Sequence, residues 1–241
     1  MTKSWFEYKG INSLDMHMYI ENDIVFPSPE ADIEFIEVLG RDGELAIDNE
    51  RLKSVSFSFP VRIKLPKNKD INQISTEISN WLKSNIGWHP LKFSGSPEYE
   101  YIAIIYEQFG IEETLRQYGK SVITFRLKPY KRKINTKPII LTNGATLVNI
   151  GMRKSKPLIN ITGSGNISLK NNGEDWLTLR SVDQRITIDS ELMIVYKDNI
   201  PQYAKVVDLK GFPILNEGHN KITWSGNISK LEIDPRWEAI V

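Results

Sequence analysis

FPSPEADIEFIEVLGRDGELAIDNERLKSVSFSFPVRIKL, residues 26–65, holds two different kinds of strand end to end. From Val55 the apolar side chains fall on every odd position, Val55, Phe57, Phe59, Val61, Ile63 and Leu65. Ser54, Ser56, Ser58, Pro60, Arg62 and Lys64 fill the even ones. That period of two predicts a long strand with one buried and one wet face. The part before it opens on the breaker Pro27-Ser28-Pro29, alternates through Ile33, Phe35 and Glu37, and turns at Gly40-Arg41-Asp42-Gly43. Here the apolar residues are interleaved with acids on both sides. Eight carboxylates and one arginine lie between Glu30 and Glu50. Such a β-arm is apolar enough to pair and too acidic to bury alone, which suits an element that reaches toward a partner or a lumen. Periodicity alone favours an ordinary solvated hairpin.

Working outward, Trp5 to Ile24 reads as a strand, a turn at Gly10–Ser13 and a second strand around Met16–Ile20. Beyond the central stretch, Asp70 and Gln73 have the spacing of a reciprocal helix cap. Ile71, Ile74, Ile78, Trp81 and Leu82 then follow at helical intervals and predict one amphipathic helix with Trp81 in the core. Trp88–Phe93 and Glu98–Phe109 are strand candidates. Ile111–Tyr118 fits either a helical face or alternation, and is read as strand. Ser121–Pro129 alternates through Ile123, Phe125 and Leu127.

Lys131–Pro138, KRKINTKP, is charged and poor in apolar residues, and a boundary is placed there, giving units 1–133 and 134–241. Past it come many short alternating runs, among them Leu158–Ile161, Ile167–Leu169, Trp176–Leu179, Ile222–Trp224 and Ile228–Ile233. Asn/Gly clusters separate them, including Gly163-Ser164-Gly165-Asn166 and Gly226-Asn227. The chain therefore reads as mainly β: an α+β first unit with one short helix, then an antiparallel β-sandwich.

The 241 residues carry a net charge of +1, with 40% hydrophobic and 25% charged residues, ordinary values for a globular protein. Residues 1–130 hold 15 basic and 19 acidic side chains, and residues 131–241 hold 16 and 11. Two units with different surfaces fit this division better than a nucleic-acid face does. No apolar run approaches a membrane span of ~18 residues, and MTKSWFEYKG lacks the apolar core of a secretory leader. With no cysteine there is neither a disulfide framework nor a thiolate metal site or nucleophile.

The search for chemistry returns little. His17, His89 and His219 are far apart and lack metal-ligand spacing. Gly163-Ser164-Gly165 is not a nucleophile elbow, and no phosphate loop or dinucleotide fingerprint occurs. Glu98 and Glu100 flank Tyr99 as a glycosidase pair would, but exposed strand carboxylates are commonplace. No catalytic, cofactor or metal residue is assigned. Trp176 lies opposite Leu177 and Leu179, and is expected to be exposed and able to stack on a sugar ring. Trp224 shares its face with Ile222 and is expected in the core.

The run FPSPEADIEFIEVLGRDGELAID resembles the N-terminal domain of siphophage distal tail (Dit) proteins. It is preceded by Tyr8–Ser13 and Leu14–Met18 and followed by a helix before Trp88-His89 and a strand ending in Lys128-Pro129-Tyr130. The second half, through Lys156–Ile159, Gly165–Leu169 and Gly218–Trp224, resembles the galectin-like sandwich of the same family. The resemblance implies a non-enzymatic virion protein of the tail tip and baseplate, made in the host cytoplasm. It implies a homohexameric ring between the tail tube protein and the tail-tip hub or tail-associated protein, with no membrane partner and DNA met only in transit. On that reading Ile36, Val38, Arg41 and Asp42 are candidates for subunit contact, and Glu34, Glu37, Asp42 and Glu44 for the lumen. The competing expectation is a carbohydrate-binding module that attaches to the host envelope through the C-terminal sandwich.

Overall fold

The computed structural model describes residues 3–21, 23–114, 117–134, 136–151, 153–207 and 211–241. The chain divides into two compact units, Met1–Lys131 together with Ile240–Val241, and Arg132–Ala239.

In the first unit β1 (Phe6–Tyr8) turns at Lys9-Gly10 into β2 (Ile11–Asn12), and β3 (Met18–Ile20) follows. Next come β4 (Ala31–Glu37), β5 (Glu44–Leu52), β6 (Val55–Lys64) and α1 (Ile71–Lys83). The set is completed by β7 (His89–Phe93), β8 (Tyr99–Ile104), β9 (Glu112–Thr114) and β10 (Tyr118–Lys133). The main sheet runs β2-β1-β7-β8-β10-β6-β3, with β9 beside β10, while β4 and β5 form a ladder of their own. β6 behaves as its alternation predicts. Val55, Phe57, Phe59, Val61 and Ile63 are buried, and their neighbours face outward.

The capping spacing also predicts what forms. Gln73 N donates to Asp70 Oδ1 at 2.9 Å, and Asp70 N donates to Gln73 Oε1 at 3.0 Å. Two amides that lack an intrahelical acceptor are thereby satisfied, which fixes the start of α1. Ile74, Ile78, Trp81 and Leu82 are buried, each contributing roughly 1.5–3 kcal/mol of apolar transfer. Trp81 stacks on Phe6 at 5.7 Å and donates its Nε1–H to Tyr8 O at 3.1 Å. Phe6 stacks in turn on Phe59 at 5.3 Å, so the helix locks onto the β6 core through one aromatic file.

Two expectations here are adjusted, and a third stretch forms strand as read. Strand β3 starts at Met18, because His17 N donates to Leu14 O at 3.0 Å and closes a turn ahead of it. The strand expected over Glu98–Phe109 ends at Ile104. The Ile111–Tyr118 stretch contains β9, while Leu115 and Arg116 lie outside the described residues.

The second unit contains β11 (Ile139–Leu141), β12 (Thr146–Asn149), β13 (Leu158–Asn171), β14 (Glu174–Val182) and β15 (Arg185–Asp189). β16 (Ile194–Lys197), β17 (Ile200–Pro201), β18 (Gly218–Asp234) and, at the chain end, β19 (Glu238–Ile240) follow. The order is β11-β18-β13-β15-β16-β17, with β12 on β18 and β14 on β13. Long strands serve both layers. β13 pairs with β15 through Leu158–Thr162 and with β14 through Gly165–Asn171.

The glycine clusters at 163–166 and 226–227 were expected to be turns, and that is corrected: they lie inside β13 and β18. The ladder between these strands shifts register at Thr162/Gly163 and again between Ser164 and Ser168. A Cβ on Gly163 would sit 2.3 Å from Asn227 O, and one on Gly226 2.3 Å from Asn166 O. Glycine is present because two backbones cross at a bulge, and a sequence cannot distinguish that from a reversal.

Lys131–Lys133 is a second correction. Instead of beginning a linker, it continues β10. Lys133 N donates to Trp237 O at 3.3 Å, and Arg132 is held by Glu191 at 2.8 Å and Glu238 at 3.4 Å. Backbone pairing and ion pairs anchor a segment that lacks apolar residues.

Candidate functional site: an exposed two-sided arm

Antiparallel pairing places directly opposite residues on the same face. In the arm formed by β4 and β5, one face therefore carries Ile33 with Asp48, Phe35 with Ala46, and Glu37 with Glu44. The other face carries Glu34 with Ile47 and Ile36 with Leu45. Phe35 is 60% exposed, and Ile33, Ile36, Val38, Leu39, Leu45 and Ile47 are exposed with it. A two-stranded ribbon in water is marginal by itself. This one has an apolar centre on both sides, and on both sides it is exposed.

Its ion pairs are confined to the base. Lys53 lies 3.7 Å from Glu30 and 3.8 Å from Asp32, Arg51 is bonded to Asp32, and Lys53 N donates to Glu30 O at 2.8 Å. Farther out, Glu34, Glu37, Asp42, Glu44, Asp48 and Glu50 have no ion-pair partner among the described residues, and Arg41 stands at the tip. Arg41 N donates to Val38 O at 3.1 Å, and Gly40 and Gly43 take the left-handed conformations that the reversal needs.

The sequence candidates are thus sorted. Ile36 shares a face with Glu34, Val38 follows the end of β4, and Arg41 and Asp42 lie in the turn. The proposed acidic wall is split: Glu37 and Glu44 face the same way, Glu34 the opposite way. Sequence reading missed the outward residues of β10. Lys120, Arg126 and Lys128 are exposed beside the even positions of β6, with Val122 55% exposed among them. Alternation of the odd residues already implied an outer face, but its charge pattern appears only once β6 and β10 are paired.

Trp176 is corrected as to exposure. It is half-buried against the second core, and its Nε1–H donates to Ile214 O at 3.1 Å, so part of its surface is already used. Trp224 is half-buried against the same core. Charge in this unit gathers elsewhere. Arg236 grips Asp189 with two bonds of 2.7 and 2.8 Å and reaches Glu191 at 3.3 Å, while Arg132 bonds Glu191 and Glu238. Burial pushes Asp189 up, but the Arg236 hydrogen bonds, the Leu192 and Glu191 amides and the Arg236 charge outweigh it, and its pKa falls below the ordinary carboxylate value. Glu191 is lowered chiefly by the Arg132 hydrogen bond. This is a fastening network of carboxylates held by two arginines. Among the described residues no group of three or more His, Asp or Glu is arranged to hold a metal ion.

Residues 11–127 match the family described as the phage tail protein RIFT-related domain. The whole chain is built as siphophage distal tail proteins are built, which bears out the resemblance seen in the sequence. It superimposes on the Dit protein of phage SPP1 with a TM-score of 0.79 at 10% identity, covering 99% of this chain and 100% of that one. That protein is described as a paradigm of the hub adsorption apparatus in phages infecting Gram-positive hosts. The baseplate of phage p2, in its activated conformation with Sr, gives a TM-score of 0.53 at 10% identity, covering 96% of each chain. No curated protein matches the sequence.

Proposed function

We propose that this phage tail baseplate protein forms a closed ring of like subunits, a homohexamer, at the tail tip. The ring joins the tail tube to the tip hub and leaves an axial passage for DNA. The observation that carries this reading is the arm, because a ribbon apolar on both faces is stable only between two covers. Contacts that repeat around a closed ring supply such covers to every copy at once and leave no strand edge open. Its function is mechanical, and no catalytic step is part of it.

Deleting Ile36–Ile47 tests the role of the arm. The core of the first unit, built from β6, β10 and α1, does not include these residues. The purified deletion variant is expected to melt like the parent, while particles made with it lack the protein in their tails. Normal incorporation of the variant would reduce the arm to a surface hairpin.

A further inference from the structure

Two faces of the first unit carry unanswered charge of opposite sign, and their patterns match. On the arm, Glu37 sits directly opposite Glu44, then Phe35 opposite Ala46, then Ile33 opposite Asp48. That is acid, apolar, acid along one face. Like charges directly opposite each other weaken a ladder, so the Glu37–Glu44 pair favours the ribbon only when cations approach from outside.

The outer face of β6 and β10 shows the reverse order. Arg62 lies opposite Lys120, with Lys64 beside it; Pro60 lies opposite Val122; Ser58 and Thr124 follow, then Ser56 opposite Arg126, with Lys128 next along β10. Arg62 has Glu21 as a partner. Lys64, Lys120, Arg126 and Lys128 have no carboxylate within ion-pair distance among the described residues, and all four are exposed. Glu112 of β9 lies opposite Lys120 on the other edge of β10, so the end with Arg62, Lys64 and Lys120 sets three cations against two carboxylates, and the face reads basic, apolar, basic.

One end of the two patterns agrees in dimension: at about 3.3 Å per residue, Phe35 and Glu37 are some 7 Å apart along β4, and Val122 and Lys120 are the same distance apart along β10. Within one chain the two faces do not meet. The arm carboxylates are exposed and make no described ion pair with β6 or β10.

We propose that the Phe35 face of the arm docks on the outer β6–β10 face of a second copy of this chain, Glu37 and Glu44 meeting the basic residues and Phe35 covering Val122 and Pro60. This rests on the reading of the arm as a subunit contact and adds which surface receives it. It leaves the Ile36, Leu45 and Ile47 face for the other cover. It also takes Glu37 and Glu44 out of the DNA passage.

Charge exchange tests it. Particles are assembled with Lys64→Glu plus Lys120→Glu, with Glu37→Lys plus Glu44→Lys, and with all four changes in one chain. Each double reversal is expected to lower incorporation into tails by roughly tenfold or more, since like charges then face each other, and the fourfold variant to recover most of it. Purified variants should melt with the parent, because every altered side chain is exposed. If one does not, Lys120→Glu with Glu44→Lys alone repeats the exchange with the fewest changes. A fourfold variant no better than either double overturns the proposal. So does Glu37→Lys plus Glu44→Lys that assembles normally but ejects DNA slowly in low salt, which would place these carboxylates at the passage. If deleting the arm blocks assembly while the reversals are silent, the contact reading stands and this receiving surface falls.

Discussion

A methyl group added at Gly226 would place carbon 2.3 Å from Asn166 O, on a backbone whose φ of +100° side chains rarely adopt. Both penalties act at the crossing of β13 and β18, which holds the two layers of the second unit together. Gly226→Ala is therefore expected to cost about 2–4 kcal/mol, more than an ordinary surface substitution. It should lower the melting temperature of that unit by roughly 10–20 °C. Gly173→Ala is the control, since it shares the positive φ but has nothing within 4 Å of the added carbon. Equal losses at both positions would mean that backbone strain, not the close crossing, sets the cost. The need for glycine was visible in the sequence but its reason was not, because a turn and a bulge both call for the residue without a side chain.

At the scale of elements, legibility follows how local the cause is. Helix α1 was readable because its cap and its stripe are set by residues three and four apart, as was β6 because its period of two is uninterrupted. Replacing Asp70 by Ala removes the acceptor for Gln73 N and should cost about 1 kcal/mol. That is a fall of a few degrees in melting temperature, checked by circular dichroism. No change would mean that Trp81 and its neighbours hold the helix without the cap. The arm was recognisable as an odd ribbon, yet its two faces were not separable until the register paired Glu37 with Glu44 and set Glu34 apart. β13 and β18 were each read as two short strands, since the bulges that join the halves are set by a strand distant in sequence. The basic face is likewise a product of pairing: Arg126 and Arg62 are 64 positions apart in the chain and become one surface only through the β6–β10 ladder.

For the whole molecule, the separate cores argue that the two units melt independently, and electrostatics supplies a way to tell them apart. The network of Asp189, Glu191, Arg132, Arg236 and Glu238 lies entirely within Arg132–Ala239. Asp189 and Glu191 have folded pKa values below their ordinary ones. A carboxylate lowered on folding contributes stability that is fully present above its unfolded value, near 4, and is lost as the pH falls through the folded value. Acid should therefore loosen the second unit by this route while leaving the Phe6–Trp81–Phe59 file of the first untouched. Calorimetry at pH 7, 5 and 3 is expected to resolve two transitions, with the one assigned to the second unit moving down most between pH 5 and pH 3. Asp189→Asn, which keeps the shape and removes the titrating group, should flatten that movement, at the cost of a lower melting temperature at pH 7 because Arg236 loses its bidentate partner. A single transition at every pH would show that the units unfold as one body. Two transitions that shift together in Asp189→Asn as in the parent would show that this network does not set the acid response.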